Sequence, residues 1–313
     1  MAVQLMSLGP LVDALLAGGY RVVGQVVRDG AIVLCEVDSA DALPYGWGVE
    51  TATGRYRLRE RGDWAAFGYA AGPQSWKQFL CPPRRPRWTA KRTGGAFAAG
   101  EPGEAAARYA FLGVRPCDLR AIAVLDRVLG KVDGSYARRR AGLFMVAVAC
   151  TEPADTCFCA ATGTGPALTA GYDLALTELV DSRAAQAQSG SGEAGRRQRL
   201  AHAVTYLAEA ATPAGADVLA ALPTRAAPAE LVDRASATVA AAAGRMRRSY
   251  AEADWPALLA GARNAAGWDD LAGRWECCGN DSMACPTCFR TLVEEATDAT
   301  GDHAQPWQRR SPV

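Results

Sequence analysis

Histidine is nearly missing from this chain. Only His202 and His303 occur among 313 residues, both in polar stretches, which argues against imidazole-based catalysis and against a His-rich metal site. Long apolar runs are missing as well. No stretch approaches the ~18 residues that a membrane helix needs. The N-terminus, MAVQLMSLGPLVDALLAGGY, has no basic leader and carries Asp13 in its apolar stripe, so it does not read as a secretory signal. Neither sign of charge dominates: the net charge is +1. The basic clusters (Arg84, Arg85 and Arg87; Arg138 to Arg140; Arg245, Arg247 and Arg248) are short and scattered, and read as solvated faces or local partner contacts. No nucleic-acid partner and no membrane span are expected, and a cytoplasmic location is.

Cysteine, in contrast, is plentiful, with ten in the chain. In a reducing compartment they read as metal ligands or redox groups, not as a disulfide framework. Eight of the ten fall in two sets, leaving Cys35 and Cys81 as core or structural residues. The first set belongs to the stretch around which the chain is organised. Two apolar runs, Ala110 to Val114 and Gly142 to Ala149, each lead to a cysteine, Cys117 after Arg115-Pro116 and Cys150 directly. Between them Leu119, Ile122, Leu125, Val128 and Leu129 recur at helical spacing, which predicts strand, helix, strand with parallel pairing. Ligands of open parallel sheets sit outside the carboxyl ends of the strands. Cys117 and Cys150 should both reach that rim, with Cys157 and Cys159 in the loop beyond. Cys117 should open a helix, near unpaired N–H groups and the positive end of the dipole. The spacing C-x32-C-x6-C-x-C is not a general ferredoxin signature. It leaves an iron–sulfur cluster, a structural zinc, a thiol redox pair and a chance grouping of buried cysteines all open.

The remainder divides by composition. A helix at Leu11 to Leu16, a hairpin turning at Asp29-Gly30, a strand near Gly54 to Leu58 and another at Tyr172 to Leu179 belong to the front of the chain. The ATGTGP string after Cys159 lacks a Walker lysine and reads as a tight loop packed beside the thiols. An Ala/Gln/Ser/Gly-rich run suggests a flexible linker, and Leu200 to Ala210, Ala216 to Leu222, Ala229 to Ser249 and Trp255 to Asn264 read as Ala-rich helices. The expected architecture is an α/β domain with a mostly parallel or mixed sheet over 1–182, a linker over 183–200, and a small helical domain over 201–313. That last domain carries a remnant ferredoxin-like motif.

The remnant is WECCGNDSMACPTCFR, with Cys277, Cys278, Cys285 and Cys288. Aligned on Cys285-Pro286, the bacterial motif C-x2-C-x2-C-x3-C-P puts Cys278 at the second ligand position, but Asp281 at the third and Trp275 at the first. Two thiolates are replaced, and the chain reaches Val313 without a second motif. The site reads as disabled, with an Asp281 oxygen, a shifted Cys277 or a zinc on all four cysteines as the ways it could still hold metal.

These strings, with GYRVVGQVVRDGAI, DWAAFGYAAGPQSWKQFLCPPR, FLGVRPCDLRAIAVLDRV and YARRRAGLFMVAVACTEPADTCFCAATGTGP, resemble the iron–sulfur beta subunit of cytoplasmic sulfhydrogenases. That family is related to the iron–sulfur subunit of anaerobic sulfite reductases and to 4Fe-4S dicluster-domain proteins. The resemblance implies an electron-transfer subunit without catalytic residues of its own. It would stand between a flavin/NAD(P)H-binding reductase partner and a catalytic metal subunit of hydrogenase or sulfite-reductase type. By position it implies a [4Fe-4S] cluster on Cys117, Cys150, Cys157 and Cys159, and matches Cys278 and Cys285 to two ligands of a second, degraded site. The family usually has cysteine in place of Trp275, Asp281 and Arg290. The competing expectation is a cluster-free or zinc-stabilised scaffold, or a remnant, that docks an oxidoreductase partner without electron transfer.

Overall fold

The computed structural model describes residues 2–52, 55–70, 72, 74–86, 88–93, 96–100, 107–181, 193–249, 254–274, 282, 284–294, 303–304 and 307–309. The chain begins with β1 (Val3–Leu5), α1 (Gly9–Ala17), β2 (Arg21–Arg28), β3 (Ala31–Glu36), β4 (Trp47–Ala52), β5 (Arg55–Glu60) and α2 (Lys77–Leu80). Three short strands follow, β6 (Arg84–Pro86), β7 (Thr89–Thr93) and β8 (Ala96–Gly100). Next come β9 (Tyr109–Val114), α3 (Pro116–Leu129), α4 (Gly134–Ala141), β10 (Phe144–Val148) and β11 (Leu174–Val180). Then α5 (Glu193–His202), β12 (Val204–Ala210), α6 (Pro213–Ala220), β13 (Arg225–Ala226) and α7 (Ala229–Arg245). The last elements are α8 (Trp255–Gly261), α9 (Gly267–Gly273), β14 (Leu292–Glu294), β15 (His303–Ala304) and β16 (Trp307–Arg309).

Two compact units result: Met1–Pro82 with Gly103–Arg248, and Pro83–Pro102 with Ser249–Val313. The first is built on an eight-stranded mixed sheet in the order β13-β1-β12-β11-β10-β9-β2-β3. Its middle strands β2, β9, β10 and β11 are parallel, and the flanking strands run antiparallel. The near-continuous apolar runs of β9 and β10 follow from burial on both faces. Leu112, Val146 and Val148 pack with Leu11, Val12 and Leu15 of α1 on one side. Phe111, Met145 and Ala147, one residue out of phase, pack with Leu119, Ile122 and Leu125 of α3 on the other. The β2–β3 hairpin turns at Asp29 and Gly30, whose φ values of 50° and 73° suit the two-residue turn that Asp-Gly favours.

Two expectations are corrected. Leu200 to Ala210 is not a helix throughout: α5 ends at His202, and β12 pairs with β11 over seven residues. Val204, Tyr206 and Ala208 alternate into the core, a period-2 signal that the alanine content conceals. This strand and α7 return the chain to the first unit, so the division between units does not fall at 183–200. Part of that stretch, Glu193–His202, is itself α5. The expected mixed-sheet α/β domain followed by a helical region is present, and the second unit adds to α8 and α9 the small sheets β14-β16-β6 and β15-β7-β8.

A bulge shapes the end of β9. Register with β10 skips Gly113, Val146 facing Leu112 and Ala147 facing Val114. Gly113 has φ +96°, and a β-carbon there would collide with Gln25 Oε1 and stand 2.9 Å from Phe67. Gly113→Ala is expected to destabilise the protein by at least ~2 kcal/mol, from left-handed strain plus the collision. A fall in the urea midpoint at unchanged m-value is the readout, and an unshifted midpoint would contradict the bulge.

Candidate metal centre

The bulged strand delivers Arg115, Pro116 and Cys117 to the carboxyl rim of the sheet. Arg115 is the extended N-cap residue of α3 (φ −85°, ψ 160°) and Pro116 opens the helix, where its missing N–H costs nothing. Asp118 closes the cap from inside the first turn. Its carboxylate accepts from the Arg115 N–H at 3.2 Å and from Trp76 Nε1 at 3.2 Å. Cys117 thus occupies the first turn of a 14-residue helix, where the chain direction points positive potential at its sulfur.

Cys150 lies just past β10, and its N–H donates to the Pro166 carbonyl at 3.1 Å. Cys157 accepts from the Ala154 N–H at 3.3 Å. Cys159 packs against the ATGTGP loop: a β-carbon on Gly165 would stand 3.0 Å from its Sγ and 3.2 Å from Pro116. Glycine there lets the loop close between the two cysteine-bearing segments, as the tight-loop reading expects. All four residues carry free thiols.

Their electrostatics show a shared neighbourhood. Cys117 is open to solvent on one side yet crowded by protein. Desolvation first, then Asp118, Cys150 and Cys159, push its thiol well above the ordinary range. Desolvation likewise raises Cys157, reinforced by Cys150 and opposed by the Ala154 N–H, Arg115 and Arg248. Cys159 is raised by desolvation and by Cys150 and Cys157. Cys117, Cys157 and Cys159 resist ionisation partly because other cysteines are near, and a cationic metal core is the kind of partner that reverses this. The donors are all thiol, which suits iron–sulfur or zinc chemistry. Among the described residues, no three His, Cys, Asp or Glu side chains gather closely enough to grip one metal ion.

The residues that composition and spacing did not single out are the buried polar ones behind the rim. Arg115, 2% exposed, donates through Nη2 to the carbonyls of Phe67 and Tyr69 at 2.6 and 3.0 Å, and through Nη1 to Ala149 at 3.3 Å. Glu178, 3% exposed, accepts from the Ala66 and Phe67 N–H groups at 2.6 and 2.9 Å. The two side chains hold the 66–69 loop from opposite ends of its peptide groups. Beside Arg115 lies a cavity of about 20 Å³ lined by Gln25, Tyr69, Trp76 and Asp118. Among the described residues Gln25 Oε1, Tyr69 Oη and Arg115 Nε, all buried, have no hydrogen-bond partner, and a polar space of that size suits a water. A charge ending an apolar run, as in FLGVRPC, and a carboxylate inside a strand, as in LALTELV, are the sequence signals for these two residues.

Of the second set, Cys285 and Cys288 lie in the other unit. Cys285 is exposed, with its Sγ 3.6 Å from Thr287 Oγ1. Cys277, Cys278, Trp275 and Asp281 lie outside the described residues, so the expected ligand pair Cys278–Cys285 and the reading of a disabled site do too. Cys81 is buried with Trp76, Leu80 and Phe111, as a structural cysteine should be. Cys35 is half-buried on β3.

No protein-family model matches this chain, and no solved structure does. It is similar to the beta subunit of sulfhydrogenase 2 from Pyrococcus furiosus, with 38% identity over 76 residues, 24% of this chain. The matched stretch covers 22% of that protein's length. The likeness supports a relation to the sulfhydrogenase beta-subunit family over about a quarter of the chain.

Proposed function

We propose that this chain is an electron-transfer subunit that holds one [4Fe-4S] cluster on Cys117, Cys150, Cys157 and Cys159. The observation that supports the reading is that Cys150 acts electrostatically on Cys117, Cys157 and Cys159, with Cys117 in the first turn of α3. The likeness to a sulfhydrogenase beta subunit supports it. A bound cluster would supply one-electron chemistry. The protein's part is to set its surroundings: Cys117 brings the helix N-terminus, and Arg115 brings a buried cation fixed by three backbone carbonyls. Both favour negative charge at the site and so favour reduction.

The partners in this reading are a flavin/NAD(P)H-binding reductase subunit and a catalytic metal subunit, in a cytoplasmic setting that keeps the thiols reduced. Among the described residues, no helix is long and apolar enough to cross a membrane. Anaerobic purification or reconstitution is the test. Broad brown absorbance with about four irons and as many acid-labile sulfides per chain is expected. Zinc alone would support the scaffold reading, and neither metal would leave a remnant.

A further inference from the structure

The arginine cluster at the end of α7 is not scattered once folded. Arg245, in the last turn of the helix, donates from Nη2 to the Thr151 carbonyl, one residue beyond Cys150. Met246 Sδ lies 3.7 Å from Cys159 Sγ, and the Arg248 charge acts on Cys157. The 245–248 segment is thus laid directly along the thiol loop. Arg245, Arg247 and Arg248 are all exposed there.

The other flank of the loop is basic too. Arg55 and Arg59 of the β4–β5 hairpin face Pro153 to Asp155 across a groove of about 490 Å³, and Ala154 in that groove bonds Cys157. Carboxylates answer only part of this charge. Glu50 pairs with Arg55, Asp63 and Glu152 pair with Arg61, and the exposed Asp155 lines the same groove, against the six arginines Arg55, Arg59, Arg61, Arg245, Arg247 and Arg248. Among the described residues, no ion pair joins Arg245, Arg247 or Arg248 to a carboxylate. Phe158, between Cys157 and Cys159 in the thiol loop, is 45% exposed. An exposed apolar side chain within the thiol loop, flanked by arginines that outnumber the nearby carboxylates, has the anatomy of a docking face: a small contact core, and a rim that steers. A net charge of only +1 for the whole chain makes this local positive potential a placed feature.

We infer that this rim is the docking face for an electron-transfer protein whose own redox centre is surrounded by acidic residues. The inference rests on the electron-transfer reading above and adds the sign of the partner's surface. Opposite charge around the two centres brings them together edge to edge and speeds encounter, at a cost in salt sensitivity.

The test titrates the full-length, anaerobically reconstituted chain with an oxidised plant-type ferredoxin, an acidic protein, by calorimetry, using basic cytochrome c as the control. Binding of the ferredoxin at low ionic strength is expected, weakened roughly tenfold or more at about 0.5 M salt. Arg247→Glu with Arg248→Glu should weaken it by roughly tenfold at low salt, and Arg247→Gln with Arg248→Gln by an intermediate factor. Both residues are exposed beyond the helix end, so circular dichroism should match the unaltered protein. Because Arg248 acts on Cys157, iron is measured on each variant, and Arg247→Glu alone should keep its iron and still weaken binding. The docking face is overturned if the ferredoxin binds no tighter than cytochrome c, or if the charge reversals leave its binding unchanged. A preparation without iron and sulfide counts against the cluster reading instead, and the two failures are told apart in one sample.

Discussion

Cys117→Ser should remove most of the iron, the acid-labile sulfide and the brown absorbance from the reconstituted protein, whereas Cys285→Ser should leave them nearly intact. The asymmetry follows from where each sulfur sits. Cys117 stands in the first turn of α3, its thiol coupled to Cys150 and Cys159, and Pro116 packs beside the Gly165 loop that also seats Cys159. A serine oxygen there is a harder and less acidic ligand, poorly matched to iron–sulfur chemistry. Losing one of four ligands opens the site on its solvent side. Cys285, in the other unit, is exposed and belongs to a motif in which Trp275 and Asp281 stand where ligands would be. The fold should survive the Cys117 change, because the cap of α3 rests on Arg115 and Asp118 and not on the thiol. Unchanged far-ultraviolet circular dichroism with lost iron is the expected pair of results. Equal losses from Cys117→Ser and Cys285→Ser would place essential ligands in both units and end the one-cluster reading.

The central unit was legible before folding because one-dimensional pattern and three-dimensional environment coincide there. Strands buried on both faces must be apolar throughout, and the intervening helix must show its stripe, so FLGV, LRAIAVL and LFMVAVA admit few alternatives. The rim position of the cysteines then follows from parallel pairing. What stayed hidden depends on tertiary partners. β12 is alanine-rich, and becomes a strand because β11 offers seven residues of antiparallel pairing. The segment 83–102 pairs with strands about two hundred residues later, which no local signal can announce. The clustering of Arg245, Arg247 and Arg248 on the thiol loop, and the roles of Arg115 and Glu178, appear only when elements far apart in sequence are packed together.

Glu178 shows what such hidden groups contribute. Its carboxyl is fully enclosed, and the Tyr206 hydroxyl of β12 hydrogen-bonds it. Desolvation raises its pKa from the usual 4.5 to about 7, in spite of the Ala66 and Phe67 N–H donors and the Arg115 charge that pull it down. Desolvation is the largest of these effects, greater than the N–H donors, Arg115 and the Tyr206 hydroxyl that oppose it. The sign of the pH effect follows by linkage. Between pH 4.5 and pH 7 the folded protein keeps a proton that the unfolded chain has released, so stability falls as pH rises through this window and levels off above it. A gap of that size is worth about 3 kcal/mol. Glu178→Gln removes the titration but turns an amide NH2 toward one of the two N–H donors, leaving that donor unsatisfied at about 1–3 kcal/mol. The variant should therefore be less stable than the unaltered protein near pH 5. The deficit should shrink toward zero, or reverse, by pH 8, as the parent alone comes to bear a buried charge. Urea unfolding of both full-length proteins across that range measures the difference, in which all other titrating groups cancel. A deficit that stays constant from pH 5 to pH 8 would mean that the carboxyl titrates normally, and that the 66–69 loop behind the thiol rim is not held by a group at the edge of ionisation.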